Sequence, residues 1–240
     1  MLLEQGVDTS LITMADDCRS TDIIVNVMKG GAHRFLLGKR ANWSPRPEEF
    51  SYEVVASAKV LAIGSLFAID HLDDGGLQEM LGICRREGVT VVADMTHDIA
   101  SKGPRIYDEV YRLMDYVVPS LEEASFVSGE TDEKRIADFF LEKGAGNVII
   151  KMGHRGSYFK NRETSFHTKA YQIDPVDTTG CGDNFTAGFI HCLLKDLPVE
   201  ECVRFASAAG SLNALGLGAS SYIRSEQMVL DFMASTPLRD

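Results

Sequence analysis

Nine consecutive residues, Asp177-Thr178-Thr179-Gly180-Cys181-Gly182-Asp183-Asn184-Phe185, bring together the parts that phosphoryl chemistry needs. Gly180 and Gly182 lack a Cβ, so consecutive backbone N–H groups can turn into one concavity. A helix that begins in this run adds its own unpaired N–H groups and a partial positive charge. The N–H groups of Gly180, Cys181 and Gly182 would then form an anion hole that stabilises charge on a transferring phosphoryl group. Asp183 stands at the rim, where a carboxylate can take the proton of a hydroxyl attacking phosphorus. Glycine spacing alone leaves a plainer alternative open, a strand-to-helix turn with Asp183 as an N-terminal capping carboxylate.

Such a turn needs strands and helices to hold it, and the pattern supplies them. From about Tyr52 onward, apolar runs alternate with amphipathic segments of helix length. Strands are expected at Lys59 to Ile63, Val89 to Ala93, Tyr116 to Val118 and Asn147 to Lys151. Helices are expected at Leu72 to Glu87, after Pro104, and at Leu121 to Val127 and Glu133 to Lys143. Strands alternating with helices imply βαβ units and a largely parallel sheet, which places ligands at the carboxyl ends of its strands. Met152 to Tyr171 is strand-rich, and two further helices follow at Phe185 to Leu194 and Val199 to Leu215. Ahead of this body, Thr21 to Met28 and His33 to Leu37 flank the turn Lys29-Gly30-Gly31-Ala32 as a β-hairpin. A two-stranded ribbon is marginal alone and suggests a lid or a subunit interface.

The string from Asp177 to Phe189 resembles the D-T-T-G-A-G-D-x-F-x-x-G-F signature of the ribokinase (PfkB) family, with Cys181 in the alanine position. Val117-Val118-Pro119-Ser120-Leu121-Glu122-Glu123 resembles the family's P-N-x-x-E block, with Ser120 where asparagine is usual. That resemblance implies that Glu123 organises Mg²⁺ through water. Val148 to Gly156 resembles the strand and turn flanking the nucleotide, which implies nucleotide contacts for Lys151, Gly153 and Gly156. Ala206 to Ala219 resembles the helix and loop beside adenosine, which implies the same for Asn213, Gly216 and Gly218. Asp177 and Thr179 would join the loop after Gly216 in a monovalent-cation site for K⁺. Asp94-Met95-Thr96 departs from the D-x-N often seen in its region.

The fold that the resemblance implies is a three-layer α/β domain, a mostly parallel sheet flanked by helices, with a small β lid. A single domain would cover residues 1–240, with the lid at 8–42 and the catalytic body at 52–240. The implied activity is ATP-dependent phosphorylation of a hydroxymethyl group of a sugar. Two other readings stay open: a nucleoside kinase of the same fold, and a non-catalytic nucleotide-binding protein. The second has its motive in the family's usual N-terminal stretch, with its Gly-Gly sugar grip, which this sequence is expected to lack. Family lids often pair across subunits, which implies a homodimer through the hairpin.

Composition narrows the alternatives. A net charge of -11 and a pI near 5.0 argue against nucleic acid as the main partner. Five cysteines with no C-x-x-C pair read as reduced thiols of a cytoplasmic protein, and no apolar run is long enough for a membrane span. The six histidines show no H-x-x-x-H pairing that would suggest zinc. Neither G-x-x-x-x-G-K-[ST], a G-x-G-x-x-G after a strand, nor G-x-S-x-G is present, which sets aside P-loop, dinucleotide and α/β-hydrolase chemistry. Cys181 sits where a helix start would favour a thiolate, yet it reads as an alanine-sized filler.

Overall fold

The computed structural model describes residues 2–12, 22–28, 33–38, 47–68, 75–98, 101–220 and 222–239. The Lys29 to Ala32 turn and the first residues of the helix expected from Leu72 lie outside them. The strands on either side of that turn, β1 (Asp22–Val27) and β2 (His33–Gly38), pair antiparallel from Asp22↔Gly38 to Val27↔His33.

Six strands form the central sheet: β3 (Val60–Leu66), β4 (Thr90–Met95), β5 (Tyr116–Val117), β6 (Asn147–Lys151), β7 (Ser157–Lys160) and β8 (Ser165–Thr168). Their spatial order follows the sequence, with β3 to β6 parallel and β7 and β8 added as antiparallel neighbours. The α-helices are α1 (Tyr52–Ser57), α2 (Gly76–Glu87), α3 (Leu121–Ser128), α4 (Glu133–Glu142), α5 (Cys181–Leu193), α6 (Val199–Asn213) and α7 (Glu226–Ser235).

Alternation along the strands divides the core into two layers. Val91, Ala93, Val148 and Ile150 face one side and pack with Leu81 and Cys84 of α2, Val127 of α3 and Phe140 of α4. Val92 and Ile149 face the other side and pack with Phe189 of α5, Ala206 and Val203 of α6, and Phe232 of α7. Both faces are covered, as the apolar strands of a parallel sheet require.

Three expectations change. The segment after Pro104 is no α-helix but a series of turns ending in a 3-10 turn at Tyr111–Leu113, closed by i→i−3 bonds such as Asp108 N–H to Arg105 O and Val110 N–H to Tyr107 O. Burial of Tyr107, Val110, Tyr111 and Met114 holds it there, so tertiary packing overrides the proline signal. Helix α5 begins at Cys181, four residues before Phe185, so Cys181, Gly182 and Asp183 form its first turn. Helices α1 and α7 were not anticipated from the pattern, and each opens on a serine whose hydroxyl accepts from the chain three residues on, Ser51 from Val54 N and Ser225 from Met228 N.

Candidate active site

The Asp177–Asp183 run enters α5 through Gly180, which has φ 73°. A Cβ at Gly180 would lie 2.1 Å from the Ala219 carbonyl oxygen, so glycine is demanded here by conformation and by space. Cys181 N–H donates to Thr178 O at 3.2 Å and closes the turn. Cys181 is therefore not a free donor of the expected anion hole. The N–H groups of Gly180, Gly182 and Asp183 have no acceptor among the described residues. Burial pushes the Cys181 thiol up to about 11, with the Asn213 side chain opposing the shift.

Asp183 lies in the first turn of α5 with its side chain open to solvent on one side. Surrounding protein raises its carboxyl above the ordinary aspartate range, the Lys151 ammonium opposes that shift, and Glu123 adds to it. The two partners come from the carboxyl ends of the sheet. Lys151 is the last residue of β6, and Glu123 sits in the first turn of α3, directly after β5. A Cβ at Gly182 would lie 3.2 Å from Lys151 Nζ, so the ammonium sits beneath the α5 entry turn.

Glu123 has a local task as well. Its Oε2 accepts from Ser120 N at 2.8 Å while Ser120 Oγ accepts from Glu123 N at 3.3 Å, a capping box that starts α3. Ser120 fills the asparagine position of the resemblance and serves as this cap. One carboxylate oxygen of Glu123 remains for other partners.

Asp177 is buried and organises the loop that follows α6. Its Oδ1 accepts from Thr179 N at 2.9 Å and its Oδ2 from Gly218 N at 3.0 Å. Asn213, the last residue of α6, donates its side-chain amide to Thr179 O at 3.0 Å. Gly216 lies against the Tyr222 ring, where a Cβ would come within 2.2 Å. Asp177, Thr179, Asn213, Gly216 and Gly218 thus converge on one loop cluster beside the start of α5. The Thr179 hydroxyl is buried there with no hydrogen-bond partner among the described residues.

The two glycines after β6 part company. At Gly156, φ is 85° and a Cβ would lie 1.8 Å from Thr168 O, so close approach of β8 accounts for this glycine without a ligand. Gly153 has φ 56° and open space around its Cβ position.

Asp94 was not among the expected site residues, although an acidic residue directly after Val91-Val92-Ala93, at the carboxyl end of a parallel strand, was a readable signal. It is 3% exposed, its Oδ1 accepts from Met95 N at 2.7 Å, and its Oδ2 accepts from Thr186 Oγ1 at 2.9 Å and Lys151 Nζ at 2.5 Å. Among the described residues, no group of three or more His, Cys, Asp or Glu side chains forms a metal cage.

Comparison with known proteins gives this geometry a family. The profile of the pfkB family of carbohydrate kinases matches residues 1–225. Ribokinase of Haemophilus influenzae is 26% identical over 237 residues, which span 96% of this chain and 74% of the relative. The crystal structure of ribokinase from Thermotoga maritima superposes with a TM-score of 0.76 at 26% identity, covering 91% of this chain and 71% of that one. A fructokinase from Vibrio cholerae, solved with fructose, ADP and calcium, superposes with a TM-score of 0.82 at 18% identity over 97% of this chain and 79% of its own, a likeness of fold. With the family profile running through the sheet, the α5 entry turn and the loop after α6, the chain belongs to the PfkB family of carbohydrate kinases.

Proposed function

We propose that this protein transfers the terminal phosphoryl group of ATP to a hydroxymethyl group of a sugar. The observation that carries this reading is the α5 entry turn, where the unengaged N–H groups of Gly180, Gly182 and Asp183 adjoin the Asp183 carboxylate and the Lys151 ammonium. A carboxylate beside an anion hole can deprotonate an attacking hydroxyl while the fixed dipoles hold the charge developing on phosphate.

Asp183 takes the proton of the acceptor hydroxyl. Gly180 and Gly182 hold the phosphate oxygens, Cys181 is a small spacer, and Lys151 balances phosphate charge. Asn213, Gly216 and Gly218 shape the nucleotide's side of the loop cluster, and Gly153 leaves room for it at the end of β6. The relatives' names support a sugar acceptor, and the ADP and fructose held by the Vibrio cholerae fructokinase support the pairing of nucleotide and sugar.

Glu123 fits a Mg²⁺ role through water. Mg²⁺ keeps several waters and is held by one or two carboxylates plus substrate phosphates, not by an all-protein cage. When bound, the ion neutralises charge on the nucleotide phosphates. Asp177 and Thr179 are the residues for K⁺, and the orphaned buried Thr179 hydroxyl suits an oxygen-rich cation site. Residues 8–42 are read as a lid, and exposed Ile23, Ile24 and Leu36 on its ribbon suit a cover for ligand or a second copy's ribbon.

The test is ADP release from MgATP with a panel of aldoses, ketoses, sugar acids and nucleosides, run beside Asp183→Asn. Acceptor-dependent release by the wild type, lost in the variant while nucleotide still binds, is expected. Full activity in Asp183→Asn would remove the assignment of the base, and a preference for nucleosides would move the acceptor class.

A further inference from the structure

We propose that Asp94 is a positioning residue whose carboxylate holds the Lys151 ammonium beneath the α5 entry turn, so that this charge stands ready for the transferring phosphate. The inference rests on the kinase reading above and assigns a task that none of the site residues discussed there performs.

Sheet geometry brings the pair together. Asp94 shares the face of Val92, and Lys151 shares the face of Ile149, so both side chains stand on the α5–α6 side. They meet across β5, which lies between their strands, at 2.5 Å from Nζ to Oδ2. Thr186, also on α5, donates to the same oxygen, and Met95 N–H takes the other. Three donors thus fix one buried carboxylate: a strand backbone N–H, a strand lysine and a helix threonine.

The arrangement suits orientation better than cohesion. Removing two charges from water is expensive, and a buried ion pair returns little net stability. Lysine is a point charge on a flexible stem, and an unheld ammonium would wander among many rotamers. Here one partner sits within reach of the Gly182 position and the other is anchored to the same helix at Thr186. Lys151, the Met95 N–H, Glu123 and Thr186 are the groups that act on Asp94, and Asp183 feels Lys151 and Glu123 in turn. Both oxygens of Asp94 are already engaged, so it is poorly placed to act as a second base.

The test is a double-mutant cycle in the full chain with Asp94→Asn, Lys151→Met and the pair, using MgATP and the most active acceptor of the panel. Thr186→Val is run alongside, and melting temperature is recorded for every variant. Asp94→Asn is expected to lower kcat by about tenfold to a hundredfold, as loss of an outer partner that orients a functional group does. In the Lys151→Met background the same change should alter kcat by less than about twofold, because its target is gone. Thr186→Val should fall between wild type and Asp94→Asn. Independent, multiplying losses from Asp94→Asn and Lys151→Met would overturn the proposal, since a merely structural carboxylate damages both backgrounds alike.

A second measurement separates this idea from the kinase reading. Lysines are reductively methylated with ¹³C, and the Lys151 resonance is assigned from Lys151→Met. If the wild type turns over no acceptor, the kinase reading fails. The positioning claim is then decided by whether Asp94→Asn shifts and sharpens that resonance toward a free lysine. An unchanged Lys151 resonance would sink it.

Discussion

Asn184 reaches across 35 residues of sequence to donate its side-chain amide to the Ala219 carbonyl at 2.7 Å, and the same amide donates to Gly180 O at 2.8 Å. One side chain thereby joins the turn that opens α5 to the loop that follows α6. Those are the two segments assigned here to phosphate and to nucleotide. Asn184→Ala removes both bonds, and neutral hydrogen bonds are worth about 0.5–1.5 kcal/mol each. The expected outcome is a loss of about 1–2 kcal/mol in chemical denaturation. MgADP affinity, measured by calorimetry, should fall by about tenfold or more, because the loops lose their mutual register.

The glycines predict a graded series. Gly180→Ala meets both a left-handed backbone and the Ala219 carbonyl, so it should cost several kcal/mol and abolish nucleotide binding. Gly156→Ala drives a Cβ into Thr168 O and should destabilise the β7–β8 pairing. Gly153→Ala meets open space and bears only the left-handed cost of about 1 kcal/mol. Thermal melts order the three. If Gly153→Ala weakens MgADP binding far beyond its stability cost, the nucleotide approaches that backbone.

Much of this architecture was legible because two periods dominate the sequence. Val91-Val92-Ala93 and Val148-Ile149-Ile150 read as strands covered on both faces, and they are. The two late helices were legible singly, but their packing was not: a Cβ at Gly210 would press within 2.9 Å of Cys181 O. The turn series after Pro104 was not, since the burial that holds Tyr107 and Tyr111 comes from distant elements. Short α1 and the late α7 carry caps, but their apolar faces are too brief to stand out. At the site, Asp177 and Asp183 were singled out through the resemblance of their whole string to the family signature, since glycine spacing alone left a capping role open for Asp183, whereas the Asp94–Lys151 contact joins residues 57 apart and exists only once the sheet is assembled.

Cys181 offers a separate check. A thiol at a helix start is a common reactive site, yet burial raises this one to about 11, with Asp177 and Asp183 adding to the effect. Iodoacetamide at pH 7.5 is expected to leave Cys181 unmodified in the folded protein, as followed by peptide mass spectrometry. Cys181→Ala should retain wild-type kcat within about threefold, because only its volume and backbone serve the turn.

Acid should affect activity and stability in opposite directions. Asp183 must be ionised to take a proton, and its carboxyl is raised above 3.8, so kcat/KM should decline on the acid side at a pH above that of an ordinary aspartate. Asp94 is raised to about 6, chiefly by burial, with Lys151 opposing, so Lys151 loses its charged partner over the same range. For stability the sign reverses. A carboxyl whose folded value exceeds its unfolded value binds protons more tightly when folded, so its burial penalty is full above about pH 6 and is relieved as pH falls toward 4. Between pH 7 and pH 5, Asp94 should return about 1 kcal/mol to the wild type, and Asp94→Asn, which has nothing to titrate there, should show no such gain. Urea titrations of both proteins at the two pH values measure the difference. A wild-type stability minus variant stability that stays constant, or that falls as pH falls, would mean that Asp94 is not a buried carboxylate paired with Lys151.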